Sequence, residues 1–386
     1  VRPGRLVGVD LARCLALLAM MATHLLAQRD PDGALSASAW LFSGRASALF
    51  AVLAGLSLAL MTGRTRPLRG RARATRSAGL AVRALLVALV GLALGEVDSG
   101  IAVILTHYGL LLLMGLLVVG LGARSLALLA AAWVVLGPVL AQVVRPELPP
   151  RGYASPSFEQ LAEPGRLVSE LLFTGYYPMA SWFAYLLVGL ALGRLDLAAL
   201  RRRTLLLLAV AGGGLAVATT WVSHALTARA DVLSALLPRA VARRGTEAAD
   251  RQLRELVEGG LYGQTPVDGP WQWLLVVAPH STTPFDLAQT IGSSLLVVGL
   301  CLLLVRLLEP GAVRAVAVAS GAGAATLSLY SLHVLMTSDL LWPPDSSAGT
   351  VVQYVVVLGA GALLVATGRR GPLEAAVARL SAGATR

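Results

Sequence analysis

The sequence predicts an all-α, polytopic membrane bundle of about ten spanning helices, and three observations carry that prediction. Hydrophobic residues make up 56% of the 386 positions and charged residues only 14%, outside the range of soluble globular chains. Apolar runs of about 20 residues recur along the chain, each long enough to cross a hydrocarbon core of roughly 30 Å. The arginines fall in the short connections between those runs, where cytoplasmic anchoring accounts for them.

The apolar runs place spans at about 6–26, 39–61, 77–96, 100–120, 125–144, 178–195, 204–224, 286–308, 315–338 and 350–368. The arginine cluster at 63–76 is expected inside, as are Arg124, 193–203, 309–314 and 368–370. These alternate correctly if both termini are cytoplasmic. The connections at 28–33, 96–99, 145–177 and 225–285 then fall outside. The last is too long for a turn, is helical in pattern, and carries "WQWLL" at 271–275, so an extracytoplasmic cap is expected there. The segment 371–386 reads as a short amphipathic tail on the cytoplasmic surface.

The whole chain therefore reads as one transmembrane domain, 1–386, in the cytoplasmic membrane of a bacterium. Its net charge of +11 is spread over membrane anchors and not over a soluble basic domain, which argues against nucleic acid as a partner. Cys14 and Cys301 both lie in apolar runs and behave as small hydrophobes, so neither a disulfide nor a metal site is expected. The basic N-terminus precedes an apolar run, but Asp10 and Arg13 spoil a signal-peptide core, so a retained first helix is expected.

The first span, "GVDLARCLALLAMMATH", holds three side chains that hydrocarbon rejects. On an ideal helix Arg13 lies about 60° and His24 about 40° from Asp10, so the three share one stripe. Asp10 and His24 are about 21 Å apart along the axis. The stripe reads as the wall of a polar corridor, with Asp10 and Arg13 at its inner end and His24 at its outer end. His107, His333, His224 and His280 all fall on the outer side of the same topology, and Arg45 enters the second span from that side. Ionisable groups at membrane depth are costly and generally face a pathway. Each also has an ordinary reading: an interfacial histidine for His24 and His224, an orienting ion pair for Asp10 with Arg13, snorkelling for Arg45, helix-bridging hydrogen bonds for His107 and His333, and a plain loop residue for His280.

At these residues the chain resembles a family. "VDLARCLALLAMMATH" is similar to the first helix of the transmembrane acyltransferase superfamily, which includes heparan-alpha-glucosaminide N-acetyltransferase and polytopic envelope-sugar O-acyltransferases. Phe50 and Gly55 in "LFAVLAGLSLAL", the "TLSLYSLHVL" element and the segment 279–304 add to the resemblance. Two departures are visible. Cys14 replaces a glycine of the pattern, and His24 stands where the heparan enzyme has asparagine. That enzyme's histidine lies in the following loop, which here (25–38) has none, so His24 matches the sugar O-acyltransferases instead.

The resemblance implies transfer of an acyl group, with acetyl expected, from cytosolic acyl-CoA to a hydroxyl or amine of an extracytoplasmic glycan or glycolipid. His24 would act as base or acyl carrier, with Arg45, His280 or His333 at the oxyanion. Asp10, Arg13 and His107 would hold the donor. Acyl-CoA, the acceptor and membrane lipid are then the partners, no metal is needed, and a homodimer is compatible with the sequence. Two alternatives stay open: a secondary transporter or lipid flippase, which the residues suit equally on physical grounds, and a non-catalytic subunit. Against transport, the sequence shows no paired Gly/Pro-interrupted helices; the run at Gly212–Gly214 reads as a single, unpaired break.

Overall fold

A computed structural model describes residues 5–152, 155–338, 340–341 and 347–383. The last three residues of the expected tail and the first four of the chain lie outside the described residues. Among the described residues there are sixteen α-helices and no β-strand, only one isolated bridge between Arg29 and Leu35. Seven helices are long and apolar enough to cross a membrane: α1 (Val7–Leu25), α2–α3 (Ala37–Phe42 and Arg45–Met61), α4 (Gly70–Gly95), α6 (Ala123–Val144), α9 (Arg202–Thr227), α12 (Pro284–Leu307) and α15 (Ser347–Ala366). An eighth is a pair bent by 56°, α7 (Pro164–Ser169, continued to Thr174) and α8 (Met179–Gly193).

The other two expected spans are shorter than a bilayer. α5 (Leu105–Val118) has 14 residues, about 21 Å of helix. The expected helix at 315–338 is broken into α13 (Pro310–Ala319) and α14 (Thr326–Met336) by a tight turn, Gly321–Ala324. The turn is wedged between α1 and α15. A side chain on Gly323 would strike the Asp10 carbonyl, and one on Gly321 the carbonyl of Gly361. Glycine and alanine are what permit backbones to approach so closely.

Small residues fix the other main contacts too. Gly55 and Gly189 press α3 and α8 backbone to backbone, and Gly212 meets Gly292 between α9 and α12. The Gly212–Gly214 run is therefore a helix contact and not a break, because α9 runs unbroken through it. The break inside an expected span lies at 320–325, where apolar periodicity gives no warning; the bend at 175–178 falls where the expected span 178–195 begins.

α8 is the most enclosed helix, with Trp182, Tyr185, Leu186 and Leu190 in the core. α6, α9 and α15 instead leave long apolar faces exposed, among them Leu128, Val143, Leu207, Val217 and Val355, as lipid contact requires. The chain is a multi-pass membrane protein.

The segment 228–283 folds over one end of the bundle. α10 (Ala230–Leu236) and α11 (Pro238–Glu258) pack Leu233, Leu236, Leu253 and Val257 on Trp273 and Val276 in a core of their own. Arg29, in the loop after α1, pairs with Glu258 at 2.6 Å. α16 (Pro372–Gly383) closes the opposite end. There Glu374 accepts hydrogen bonds from the Leu327 and Ser328 amides, at 2.8 and 3.2 Å, and so caps α14.

Candidate functional site

The polar stripe of α1 ends in two separate chambers. At the capped end, a cavity of about 1060 Å³ is lined by His24, His280, Gln353 and three tyrosines, Tyr176, Tyr177 and Tyr262. At the other end, a cavity of about 660 Å³ is lined by Asp10, Glu374 and five arginines: Arg5, Arg13, Arg83, Arg369 and Arg370. The two share no lining residue. Between them α1 carries Cys14, Leu17 and Met21, all buried in the main core. The expected open corridor is therefore corrected: polar groups stand at both ends, and packed apolar side chains fill the middle.

His24, in the last turn of α1, faces the larger cavity. Its Nδ1 lies 3.0 Å from Nε2 of His333 on α14, with the two rings parallel. His333 is fully buried, and its Nδ1 lies 2.8 Å from Oε1 of Gln353 on α15. Three helices distant in sequence thus supply one hydrogen-bonded row that opens into the cavity at His24.

His280 reaches the same cavity from the loop before α12. His280 and Thr282 both adopt φ of 55°, a left-handed conformation that costs non-glycine residues energy. The conformation is held by Asp286, whose carboxylate accepts from the Thr282 amide at 2.9 Å, while Thr283 Oγ accepts from the Asp286 amide at 3.1 Å. Gly263 donates its amide to the His280 carbonyl at 2.6 Å and so ties this loop to the cap. The His280 ring sits among Tyr176, Tyr177 and Trp182, with centroids 5.3, 5.7 and 6.4 Å away. Burial pushes its imidazole down to about 4.

Two residues expected in the site stand elsewhere. Arg45 begins α3, and its guanidinium donates to the Trp40 and Leu41 carbonyls at the end of α2, which lack helical partners. It caps a helix, while its neighbours Gly44, Ala46 and Ser47 line the cavity. His107 lines neither chamber. It is buried edge-on against Tyr177 at 5.5 Å, behind the cavity wall and away from the arginine chamber where a donor-binding role would place it. His224 is exposed at the end of α9.

In the arginine chamber, Asp10 accepts from Arg5 Nε at 2.5 Å and from Arg13 Nη1 at 2.8 Å, and Arg13 Nη2 donates to Ser57 Oγ at 2.6 Å. Two carboxylates against five guanidiniums leave the chamber cationic, so it suits a polyanion. Arg369 and Arg370 read from the sequence as topological charges, and Arg83, inside the expected span 77–96, is not singled out there as a site residue. Gln353 was also missed, although an amide inside "TVVQYVVVLGAG" is the kind of signal that marks it. Among the described residues no group of His, Cys, Asp or Glu is arranged to hold a metal ion.

The membrane-embedded bundle thus carries a histidine pair at one end, His24 partly and His333 fully buried, and an arginine-lined pocket at the other. The family profile described as "Heparan-alpha-glucosaminide N-acetyltransferase, catalytic" matches residues 5–227, more than half of the chain. The chain belongs to that family. Searches of curated proteins and of solved structures find no significant match. The matched region ends with α9, so it includes Asp10, Arg13 and His24, whereas His280, His333 and Gln353 lie beyond it.

Proposed function

We propose that this protein acetylates an amine or hydroxyl of a glycan or glycolipid in the histidine cavity, drawing the acetyl group from acetyl-CoA held at the arginine chamber. The family supports acetyl transfer within the membrane. The observation that carries the finer reading is the His24–His333 pair opening into a cavity on one side and the five-arginine pocket on the other.

In the reaction, the acceptor nitrogen or oxygen attacks the thioester carbonyl carbon. A C–N or C–O bond forms as the C–S bond breaks, and the electron pair leaves with sulfur. The acceptor proton passes to Nε2 of His24, the nitrogen not engaged by His333, and then to the departing thiolate as CoA-SH. A thioester needs little activation, so the enzyme's work is to align the two substrates and to take one proton. Neutral imidazole does this near pH 7.

Arg83, Arg369, Arg370 and Arg5 are suited to the diphosphate and 3′-phosphate of the donor, where guanidinium forks pair with phosphate oxygens. For the thioester to reach His24, the packed segment of α1 around Leu17 and Met21 has to part from its neighbours. The distribution of arginines supports an orientation with the arginine chamber and both termini inside and the capped cavity outside, in what we take to be a bacterial cytoplasmic membrane.

The test is purified protein in lipid nanodiscs with acetyl-[14C]CoA and glucosamine-bearing or hydroxyl-bearing glycans as probes. Label should move to glycan with one CoA thiol released per transfer. Uptake of a substrate into sealed vesicles with no thiol release would favour transport and defeat this reading.

A further inference from the structure

The row His24–His333–Gln353 fixes where each proton sits. Gln353 Nε2 donates to the Met336 carbonyl at 3.3 Å, and its Oε1 faces Nδ1 of His333 at 2.8 Å. Turning the amide over would set Oε1 against the Met336 carbonyl, two acceptors facing one another, so the orientation is determined by its partners. Nδ1 of His333 must then carry a hydrogen. A neutral imidazole carries only one, which leaves Nε2 of His333 bare and able only to accept. The group 3.0 Å from that Nε2 is Nδ1 of His24, which must therefore be the donor. Nε2 of His24 is left with a free lone pair.

We propose that Gln353, acting through His333, is the positioning residue that holds His24 in the Nδ1–H form, with a basic nitrogen directed at the acceptor. The device needs no carboxylate. The described residues lining the cavity include no Asp, Glu or Arg, and its other titratable groups are His280, Tyr176, Tyr177 and Tyr262. A histidine–carboxylate pair would bury a charge beside that wall, whereas an amide ends the row with every member neutral. When His24 takes the acceptor proton, its Nδ1–H still donates to His333. The positive charge is shared over two rings without leaving the site, and the proton remains available for the thiolate. The tautomer stands on the hydrogen bonds alone; only its catalytic purpose rests on the transfer reaction proposed above.

The test separates the two. With five histidines in the chain, the protein labelled with 15N-histidine in nanodiscs gives resolvable imidazole nitrogens, assigned with His24→Asn and His333→Asn. Both His24 and His333 should show protonated Nδ1 and bare Nε2 near neutral pH. Gln353→Leu should leave His24 as a mixture of tautomers, and Gln353→Glu should restore the single form. With acetyl-CoA and glucosamine as probes, Gln353→Leu should lower kcat by roughly 10- to 100-fold, the usual range for loss of a partner that orients a histidine, with KM for acetyl-CoA unchanged. Gln353→Glu should recover most of the rate and move the acidic limb of the pH profile upward, because a carboxylate favours imidazolium. A wild-type His24 protonated at Nε2, or unchanged tautomers in Gln353→Leu, overturns the assignment. If Gln353→Leu does not fold, the wild-type spectrum alone decides. Correct tautomers with no transfer to any probe would count against the reaction and leave the row in place.

Discussion

The two chambers at the ends of α1 are built on opposite electrostatic principles. The arginine chamber concentrates charge: five guanidiniums surround two carboxylates, and the Asp10–Arg5–Arg13 cluster is held by short charge-assisted bonds. The histidine cavity has no formally charged group among its described lining residues and relies on imidazole, amide and phenol. One offers net charge and the other the placement of single protons. A reaction that takes a polyanionic donor to a neutral nucleophile needs both, kept apart so that the arginines do not suppress the base.

Substitutions should expose that contrast. The largest effect is expected from His24→Ala, which should lower transfer by about 100- to 10,000-fold, the range for loss of a general base, while donor affinity is retained. Full transfer in a correctly folded His24→Ala would break the comparison at once. Next comes Gly323→Val. Its branched side chain would meet the Asp10 backbone, part α1 from the 321–324 turn and disturb the charged chamber first. Overpacking of this kind costs about 1–3 kcal/mol, read as a lower Tm and a higher KM for acetyl-CoA.

Arg83→Gln should act at the arginine end alone. We expect KM for acetyl-CoA to rise roughly tenfold with kcat little changed, as loss of one charge-assisted phosphate contact would give. Wild-type KM for acetyl-CoA should likewise rise with salt, while KM for a neutral glycan should not. Equal salt sensitivity for both substrates would contradict the division.

The smallest effect on transfer is expected at His280, whose readout is stability against pH. Its imidazole is pushed below its ordinary value of about 6.5 to about 4, so the folded state takes up a proton less readily than the unfolded chain. The stability it lends is complete above about pH 6.5 and falls as pH drops from there toward 4. His280→Phe keeps the ring among its aromatic neighbours and removes the titration, so its Tm should fall less than wild type between those limits.

Much of this was legible in order along the chain. Runs of apolar residues placed the helices, because a lipid-exposed backbone has to satisfy its own hydrogen bonds and only long apolar helices do so. The pattern Asp10, Arg13, His24 was legible because three ionisable groups within one apolar run have no cheap alternative. The broken helix at 320–325 was not. Its GAGA turn is as hydrophobic as a helix, and only α1 and α15 pressing against it explain the break. Arg45 misled for the opposite reason: its position suited the site, and the nearby carbonyls of α2 claimed it.

The sequence by itself therefore determined the membrane setting, the all-helical class, the family resemblance and the polar stripe of α1, since these follow from composition, short motifs and periodicity within single segments. Tertiary structure alone decided which distant groups meet. The pairing of His24 with His333 across 309 positions, the amide of Gln353 that ends the row, and the apolar plug between the chambers all depend on helix packing. Packing is a property of contacting faces, which no local pattern encodes.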